Sequence, residues 1–193
     1  VCCYMFHGGT NFGFMNGANF STGYEPTVSS YDDDAPIAEA GDLTPKWHAF
    51  RQVIGKYRAL PEVAPPPPLP RRAYGPVAMS ERVSIFAALD GLAVPSRAAA
   101  PVTMEAMGQN YGFILYRTGL NGPREGLLSL PGVRDRALVC VDDRCEGVVY
   151  RNDPRPGLQL SLDPGARRLD LLVENMGRVN YGPEIHDRKG IIG

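Results

Sequence analysis

Residues 136–151 read RALVCVDDRCEGVVYR, and this stretch decides the fold of the second half of the chain. Two short runs rich in β-branched and aromatic residues flank VDDR (141–144), a pattern that predicts a β-hairpin. Similar runs occur at YGFILYRT (111–118) and LDLLVE (169–174). Several short strands separated by turn-forming clusters are typical of a β-sandwich or jelly roll, which we predict for residues 74–193.

A proline-rich segment marks a boundary upstream of the predicted strands. Five of the six residues from Pro65 to Pro70 are proline. Such a run favours an extended polyproline II conformation and excludes a helix or a central strand. We therefore predict a semi-rigid linker over residues 61–73.

The first 60 residues have the pattern of one βα unit. VCCYMF (1–6) is apolar on both faces, as in a buried strand of a parallel sheet. A long loop follows, and a helix is then expected to begin at Thr44 as N-cap and Pro45 as first helical residue. Spacings of three and four give this helix one apolar face, formed by Trp47, Phe50, Ile54 and Tyr57. A single βα unit cannot bury both of its faces, so we expect residues 1–60 to be the edge of a larger α/β domain.

Composition argues against several classes of partner. The formal net charge is −1, with the two signs interspersed, so the basic stripe of a nucleic-acid-binding protein is missing. No apolar run approaches the ~20 residues that a membrane-spanning helix needs. The sequence indicates no cellular compartment and no oligomeric state.

The four cysteines suggest no metal site. Neither Cys2–Cys3 nor Cys140–Cys145 has C-x2-C spacing, and no histidine lies near either pair in the sequence. Cys140 and Cys145 flank the predicted turn and could pair across the hairpin, but geometry and not spacing decides whether they do.

The long loop between His7 and Asp42 is the best candidate for a binding site. Loops after the C-terminal ends of parallel strands carry the ligand sites of α/β proteins. This loop and the strand end before it mix aromatic residues with Asn, Ser, Thr and Gly, which suits the apolar faces and hydroxyl groups of sugars. The aromatic residues are Tyr4, Phe6, Phe12, Phe14, Phe20, Tyr24 and Tyr31. The alternative is that most of them pin the loop to the domain.

Three adjacent aspartates, Asp32, Asp33 and Asp34, allow more than one interpretation. They could bind calcium, or two could act as acid and base. Adjacent side chains diverge, however, so a turn cap and a solvated carboxylate are the simpler alternatives. His7 is either a polar anchor of the loop or a substrate contact.

Two long motifs resemble a known family. YMFHGGTNFGFMNGANF (4–20) and SYDDDAPIAEAGDLTPKWHAFR (30–51) resemble the last strand, loop and helix of the TIM (β/α)8 barrel of family 35 glycoside hydrolases, which are β-galactosidases. VRDRALVCVDD (133–143) and the segment from Leu169 onward resemble the β-domain that follows this barrel, a jelly roll of the galactose-binding-like kind.

The resemblance implies a retaining exo-glycosidase that releases terminal β-linked galactose without a metal or organic cofactor. Such enzymes use two carboxylates about 5 Å apart. In this family both are glutamates on earlier barrel strands, and none of the nine glutamates here matches a catalytic motif. Glu39 belongs to the segment leading into the last helix and is not the nucleophile. We therefore expect this chain to be inactive alone.

The same resemblance assigns two residues to the sugar pocket. Tyr4 and Tyr31 match tyrosines that line the site, and a phenol there can donate to a sugar hydroxyl or to the nucleophile. Asp33 stands where the family usually has a second tyrosine, so its assignment to the site is not carried over. The alternative function is a non-catalytic carbohydrate-binding or scaffolding protein derived from a β-galactosidase.

Overall fold

The computed structural model describes residues 2–27, 29–62, 64–121 and 125–192, whose regular elements are mostly β-strands with few helices. The chain divides into two compact units. The first comprises residues 1–12 and 28–81, and the second comprises residues 13–27 and 82–193. None of the helices in the described ranges is long and apolar enough to span a membrane.

The elements of the first unit are two short strands and one helix: β1 (Gly9–Thr10), β4 (Ser30–Tyr31) and α1 (Pro45–Gly55). Those of the second unit are β2 (Gly17–Phe20), β3 (Tyr24–Pro26), α2 (Ile85–Leu92), β5 (Gly112–Gly119), β6 (Glu125–Ser129), β7 (Val133–Arg134), β8 (Arg136–Val141), β9 (Arg144–Tyr150), β10 (Gly157–Ser161), β11 (Arg168–Asn175), β12 (Arg178–Val179), a 3-10 helix (Pro183–His186) and β13 (Gly190–Ile191).

A four-stranded antiparallel sheet in the order β5-β11-β8-β9 is the centre of the second unit. Its strands form at the four runs that the sequence singled out. The predicted hairpin is confirmed, since β8 and β9 pair through a two-residue turn at Asp142 and Asp143. Both aspartates have positive φ (46° and 70°), as a type I′ turn requires, and aspartate tolerates this conformation better than most residues.

The core of the second unit lies against one face of this sheet. Leu169, Leu171 and Val173 alternate along β11 and are buried with Ala137 and Val139 of β8. The period of two is what a half-buried strand requires. Asp170 is buried among them, but it points to the opposite face from Leu169 and Leu171. There its carboxylate accepts hydrogen bonds of 2.6 and 3.0 Å from Arg117, its register partner on β5.

Residues 13–27 of the long loop belong to the second unit. β2 pairs with β3 in an antiparallel hairpin and with β12 in parallel, so the loop contributes two strands to a three-stranded sheet. Ala18, Tyr24 and Val179 form a small buried cluster there. The smaller sheets β6–β10 and β7–β13 complete the unit.

In the first unit the predicted helix forms and the predicted strand does not. α1 begins at Pro45 with Thr44 as N-cap, although the Thr44 hydroxyl donates to the carbonyls of Ala35 and Pro36. Residues 2–6 have no strand structure. A parallel central strand takes its hydrogen bonds from neighbouring strands. The Phe6 carbonyl accepts one backbone hydrogen bond from the Ile37 amide, but no strand pairs with residues 2–6 in the described parts of this unit.

The apolar face of α1 and the proline-rich segment are both exposed. No residue of α1 is buried, and the Tyr57 side chain just beyond it is 88% exposed. Residues 61, 62 and 64–81 have neither helix nor strand, in agreement with the irregular conformation that the prolines predict. Val63 lies outside the described residues.

Candidate functional site

Tyr31 lies on a short strand pair that fixes its position. β1 and β4 are antiparallel, and Gly9 is the register partner of Tyr31. The Tyr31 phenol covers Gly9 so closely that a Cβ at Gly9 would overlap the ring. Glycine is required at this position because the aromatic ring occupies the space of a side chain. Tyr31 nevertheless keeps 37% of its surface exposed.

Glu39 links Thr10 and Ser30, the other register pair of β1 and β4. Its carboxylate accepts hydrogen bonds from the hydroxyls of Thr10 and Ser30, which are register partners. The hydrogen bond from Ser30, followed by that from Thr10, lowers the pKa of Glu39. The ionised carboxylate therefore bridges β1 and β4 one residue away from Tyr31. Glu39 thus helps to hold Tyr31 in position.

The three aspartates diverge, as adjacent residues are expected to do. The Ala35 amide donates to the Asp32 carbonyl (3.1 Å), and the two residues between them, Asp33 and Asp34, have positive φ. This is a tight turn, which agrees with the simpler interpretation of the motif. The Asp34 carboxylate pairs with Lys46 at 2.7 Å, and Asp33 is exposed. In the described parts of the chain, no three His, Cys, Asp or Glu side chains are grouped as metal ligands.

Tyr4 is in a different setting from Tyr31. Its side chain is 94% exposed, and the surrounding residues form bends. His7 pairs through its backbone in an isolated bridge with Ile37, and its side chain is exposed. The structure thus holds Tyr31 in a defined position, whereas the Tyr4 side chain is exposed to solvent. The assignment of both residues to a sugar site stays a prediction.

A cleft of about 400 Å³ also lies in the first unit. Its lining includes His48 and Asp42, and Asp42 forms an ion pair with Arg71. Most of the remaining lining comes from the prolines at 65–68. The proline-rich segment therefore forms one wall of a cleft, although its residues are individually exposed.

The second unit contains a buried charged cluster that the sequence analysis did not find. Asp135 and Lys189 are both fully buried, and Lys189 Nζ lies 2.8 and 2.9 Å from the two carboxylate oxygens. Arg151 Nη1 lies 2.8 Å from Asp135 Oδ1 and 2.5 Å from Asp187 Oδ2. Arg134 Nε donates to the other oxygen of Asp187 at 3.1 Å.

Tyr24 joins this cluster to the loop segment 13–27. Its hydroxyl lies 3.0 Å from Asp135 Oδ2 and 2.6 Å from the Gly177 carbonyl oxygen, so it donates to these acceptors. Its ring lies under two cations, 4.3 Å from Arg151 Cζ and 4.5 Å from Lys189 Nζ. The Asn152 side chain bonds both the amide and the carbonyl of Tyr24. The loop is therefore fastened at this residue.

The pKa shifts of the cluster reflect burial first and charge second. Burial raises the pKa of Tyr24, and the Asp135 carboxylate raises it further. Burial lowers the pKa of Lys189, and Asp135 opposes the shift without cancelling it. Burial also acts to lower the pKa of Arg151, but its hydrogen bonds to the carboxylates of Asp135 and Asp187 outweigh this and raise it.

The arrangement of this cluster fits a role in stabilising the fold and not a role in proton transfer. Asp135 already accepts hydrogen bonds from Lys189, Arg151, Tyr24 and the Met176 amide (2.9 Å). A carboxylate with its lone pairs occupied in this way is fixed in position. One feature of the sequence could have predicted this cluster: the charged run VRDR (133–136) lies inside a strand region. A charged side chain within a buried segment requires a partner of opposite charge.

Two family models match different parts of the chain. The model of the family "Glycosyl hydrolases family 35" matches residues 1–57, and that of "Beta-galactosidase, first all-beta domain" matches residues 101–193. The predicted all-β part is thereby confirmed.

Relatives match the chain from end to end. The human protein "Beta-galactosidase" is 47% identical over 198 aligned residues, which cover all of this chain and 29% of the relative. "Beta-galactosidase" of Xanthomonas manihotis is 43% identical over 98% of this chain and 32% of its own length. The mouse "Beta-galactosidase-1-like protein" is 44% identical over the whole chain and 30% of its own length. The chain spans about three tenths of the length of these relatives.

Proposed function

We propose that this chain is part of a retaining exo-β-galactosidase, which releases terminal β-D-galactose from oligosaccharides or glycoconjugates. The observation that carries the proposal is the similarity of the whole chain to proteins named β-galactosidase, at 43–48% identity. A glycosidase also explains a loop that combines glycine, amide and hydroxyl groups with aromatic side chains.

We further propose a division of the chain into three parts. Residues 1–60 are the last βα unit of a TIM barrel, residues 61–73 are a linker, and residues 74–193 are a jelly-roll domain. The ranges of the two family models and the position of α1 support the first part and the last. In this view residues 2–6 become a strand when neighbouring barrel strands pair with them, and the apolar face of α1 is covered by the rest of the barrel.

The proposed sugar contacts are Tyr31 and Tyr4. Tyr31 is the stronger candidate because Gly9 and the Glu39 bridge hold its strand, so that its phenol is oriented before a ligand arrives. A preoriented hydroxyl contributes more to catalysis than a mobile one, since no reorganisation is needed in the transition state. Asp33 adopts the left-handed conformation in a tight turn, and its exposed carboxylate replaces the phenol usual in the family.

The two catalytic carboxylates are proposed to lie on barrel strands outside this sequence. A retaining mechanism needs a nucleophile and an acid/base about 5 Å apart. Glu39 is not free to serve as either group, because its carboxylate is engaged by hydrogen bonds from Ser30 and Thr10, which lower its pKa. The chemistry needs neither metal nor organic cofactor, because two carboxyl groups suffice.

The test is hydrolysis of p-nitrophenyl β-galactoside by the longer protein that carries this chain, with the β-glucoside as comparison. Tyr31→Phe should lower kcat/KM about tenfold or more without changing the melting temperature. Tyr74→Phe is the matched control, since Tyr74 belongs to the same unit, lies outside the helix and is 80% exposed.

Two outcomes would contradict the proposal. Equal kcat/KM for Tyr31→Phe and the parent would remove Tyr31 from the site while leaving the activity in place. Absence of hydrolysis together with saturable galactose binding would instead favour the carbohydrate-binding alternative.

A further inference from the structure

Cys140 and Cys145 face each other across the β8–β9 hairpin. They are register partners, one step away from the pair Val141 and Arg144 that closes the two-residue turn. Residues that flank a two-residue hairpin turn form a hydrogen-bonded pair, so the next pair along the ladder is non-hydrogen-bonded. Such pairs have Cα atoms about 4.5 Å apart, within the range of about 4.4–6.8 Å that a disulfide spans.

The two cysteines are both free in this structure, and they differ in access. Cys140 is 1% exposed, whereas Cys145 is exposed. Cys145 Sγ also lies 3.9 Å from the Gly147 carbonyl oxygen, which keeps this side chain along the strand. A reagent from solution therefore meets Cys145 first.

We propose that Cys140 and Cys145 are a dithiol–disulfide site that oxidised glutathione or a similar small disulfide converts to a cross-strand disulfide. The Cys145 thiolate attacks one sulfur of the oxidant and releases one glutathione thiolate, which leaves a mixed disulfide on Cys145. Cys140 then loses its proton to solvent and attacks Cys145 Sγ, which releases the second glutathione. Two protein thiols are oxidised and one glutathione disulfide is reduced to two thiols.

The formation of this bond ties β8 to β9 where their register changes. The ladder has an irregularity between Val139 and Cys140, directly beside the proposed bond. β9 is the outer strand of the four-stranded sheet, and it has β8 as its neighbour there. A covalent link at this point keeps the outer strand in register when the sheet is destabilised.

The hairpin sequence provides a direct test by tryptic mapping. Arg144 lies between the two cysteines, so trypsin separates ALVCVDDR (137–144) from CEGVVYR (145–151), and a disulfide holds the two peptides together. The chain with Cys2→Ser and Cys3→Ser is equilibrated with glutathione buffers, alkylated and digested. The proposal expects the linked peptides, about 2 Da lighter than the sum of the reduced ones.

A comparison with the unfolded chain separates a built site from chance oxidation. In the folded chain the equilibrium constant for oxidation by glutathione should exceed that in concentrated urea by about tenfold or more, because the fold raises the effective concentration of one thiol at the other. Cys145→Ser in the same background is the control and should give no linked peptides. Absence of linked peptides in the folded chain, or equal constants in buffer and urea, would overturn the proposal.

Discussion

Lys189 Nζ lies within 2.9 Å of both carboxylate oxygens of Asp135, and neither residue has any exposed surface. A buried ion pair of this kind compensates the desolvation of both charges through direct contact and further hydrogen bonds. Here Arg151 and Tyr24 supply those further bonds. Since Tyr24 belongs to the loop segment 13–27, the cluster fastens that segment within the β-rich unit.

Lys189→Met should destabilise the chain strongly. The substitution removes one charge of the pair and leaves the Asp135 carboxylate buried with less compensation, which costs about 3–5 kcal/mol in comparable cases. Urea unfolding of the parent and variant measures the difference. Arg144→Met is the control, because the ion pair of Arg144 with Glu146 is at the surface and screened by solvent, so its loss should hardly change the unfolding free energy. A loss as small as that of the control would show that the buried pair is not needed.

Tyr24→Phe should loosen the loop segment 13–27 with a smaller effect on the whole chain. The variant keeps the ring beneath Arg151 and Lys189 but removes the hydroxyl that donates to Asp135 and Gly177. Leaving a buried acceptor without its donor costs about 1–3 kcal/mol. Amide hydrogen exchange should accelerate in β2 and β3, which carry this segment.

The control for this variant is Tyr4→Phe. Tyr4 is 94% exposed, so the loss of its hydroxyl should leave exchange in β2 and β3 unchanged. Unaltered protection in the Tyr24→Phe chain would show that backbone pairing with β12 suffices to hold the segment.

Gly9→Ala should impair activity in the longer protein through Tyr31. A Cβ at Gly9 would overlap the Tyr31 ring, so the ring must move. If Tyr31 contacts the sugar, a displacement of this kind lowers kcat/KM about 10- to 100-fold. Gly91→Ala is the matched control, since a Cβ there meets no atom within 4 Å. Hydrolysis of a β-galactoside at the parental rate by Gly9→Ala would mean that the position of Tyr31 does not matter to catalysis.

Local signals predicted the parts of this fold that local interactions determine. The hairpin follows from β-branched runs around Asp142 and Asp143, since aspartate tolerates the positive φ that the turn needs. The start of α1 at Pro45 follows from the fixed φ of proline. The three aspartates at 32–34 form a tight turn for the same conformational reason as the hairpin turn.

Features that depend on distant partners could not be predicted. Asn16 donates to the carbonyl of Met176, 160 residues away, and this pairing places part of the long loop in the β-rich unit. The Asp135–Lys189 pair spans 54 residues and has no periodic signature. The prediction of a strand at residues 1–6 was wrong for residues 2–6, for a related reason. Apolar composition alone does not supply the neighbouring strands on which a parallel strand depends.

Cys140 should make the stability of the reduced chain fall with pH in the alkaline range. Burial, together with the adjacent Cys145 thiol, raises the pKa of Cys140 from 9.0 to about 11. A group whose pKa is higher in the folded state than in the unfolded state stabilises the fold below its unfolded pKa. This contribution is lost as the pH rises from 9 to 11, because the unfolded thiol ionises first.

The measurement is the difference in unfolding free energy between the parent and Cys140→Ala, in the presence of a reductant, from neutral pH to pH 11. The difference should be constant up to about pH 9 and then shrink. Tyr24 and Lys189 also titrate differently on folding, but they are present in both chains and their contributions cancel. Cys2→Ala is the control and should keep the parental pH dependence, because Cys2 is exposed. A parent–variant difference that stays constant to pH 11 would mean that the Cys140 thiol ionises as readily in the folded sheet as in the unfolded chain.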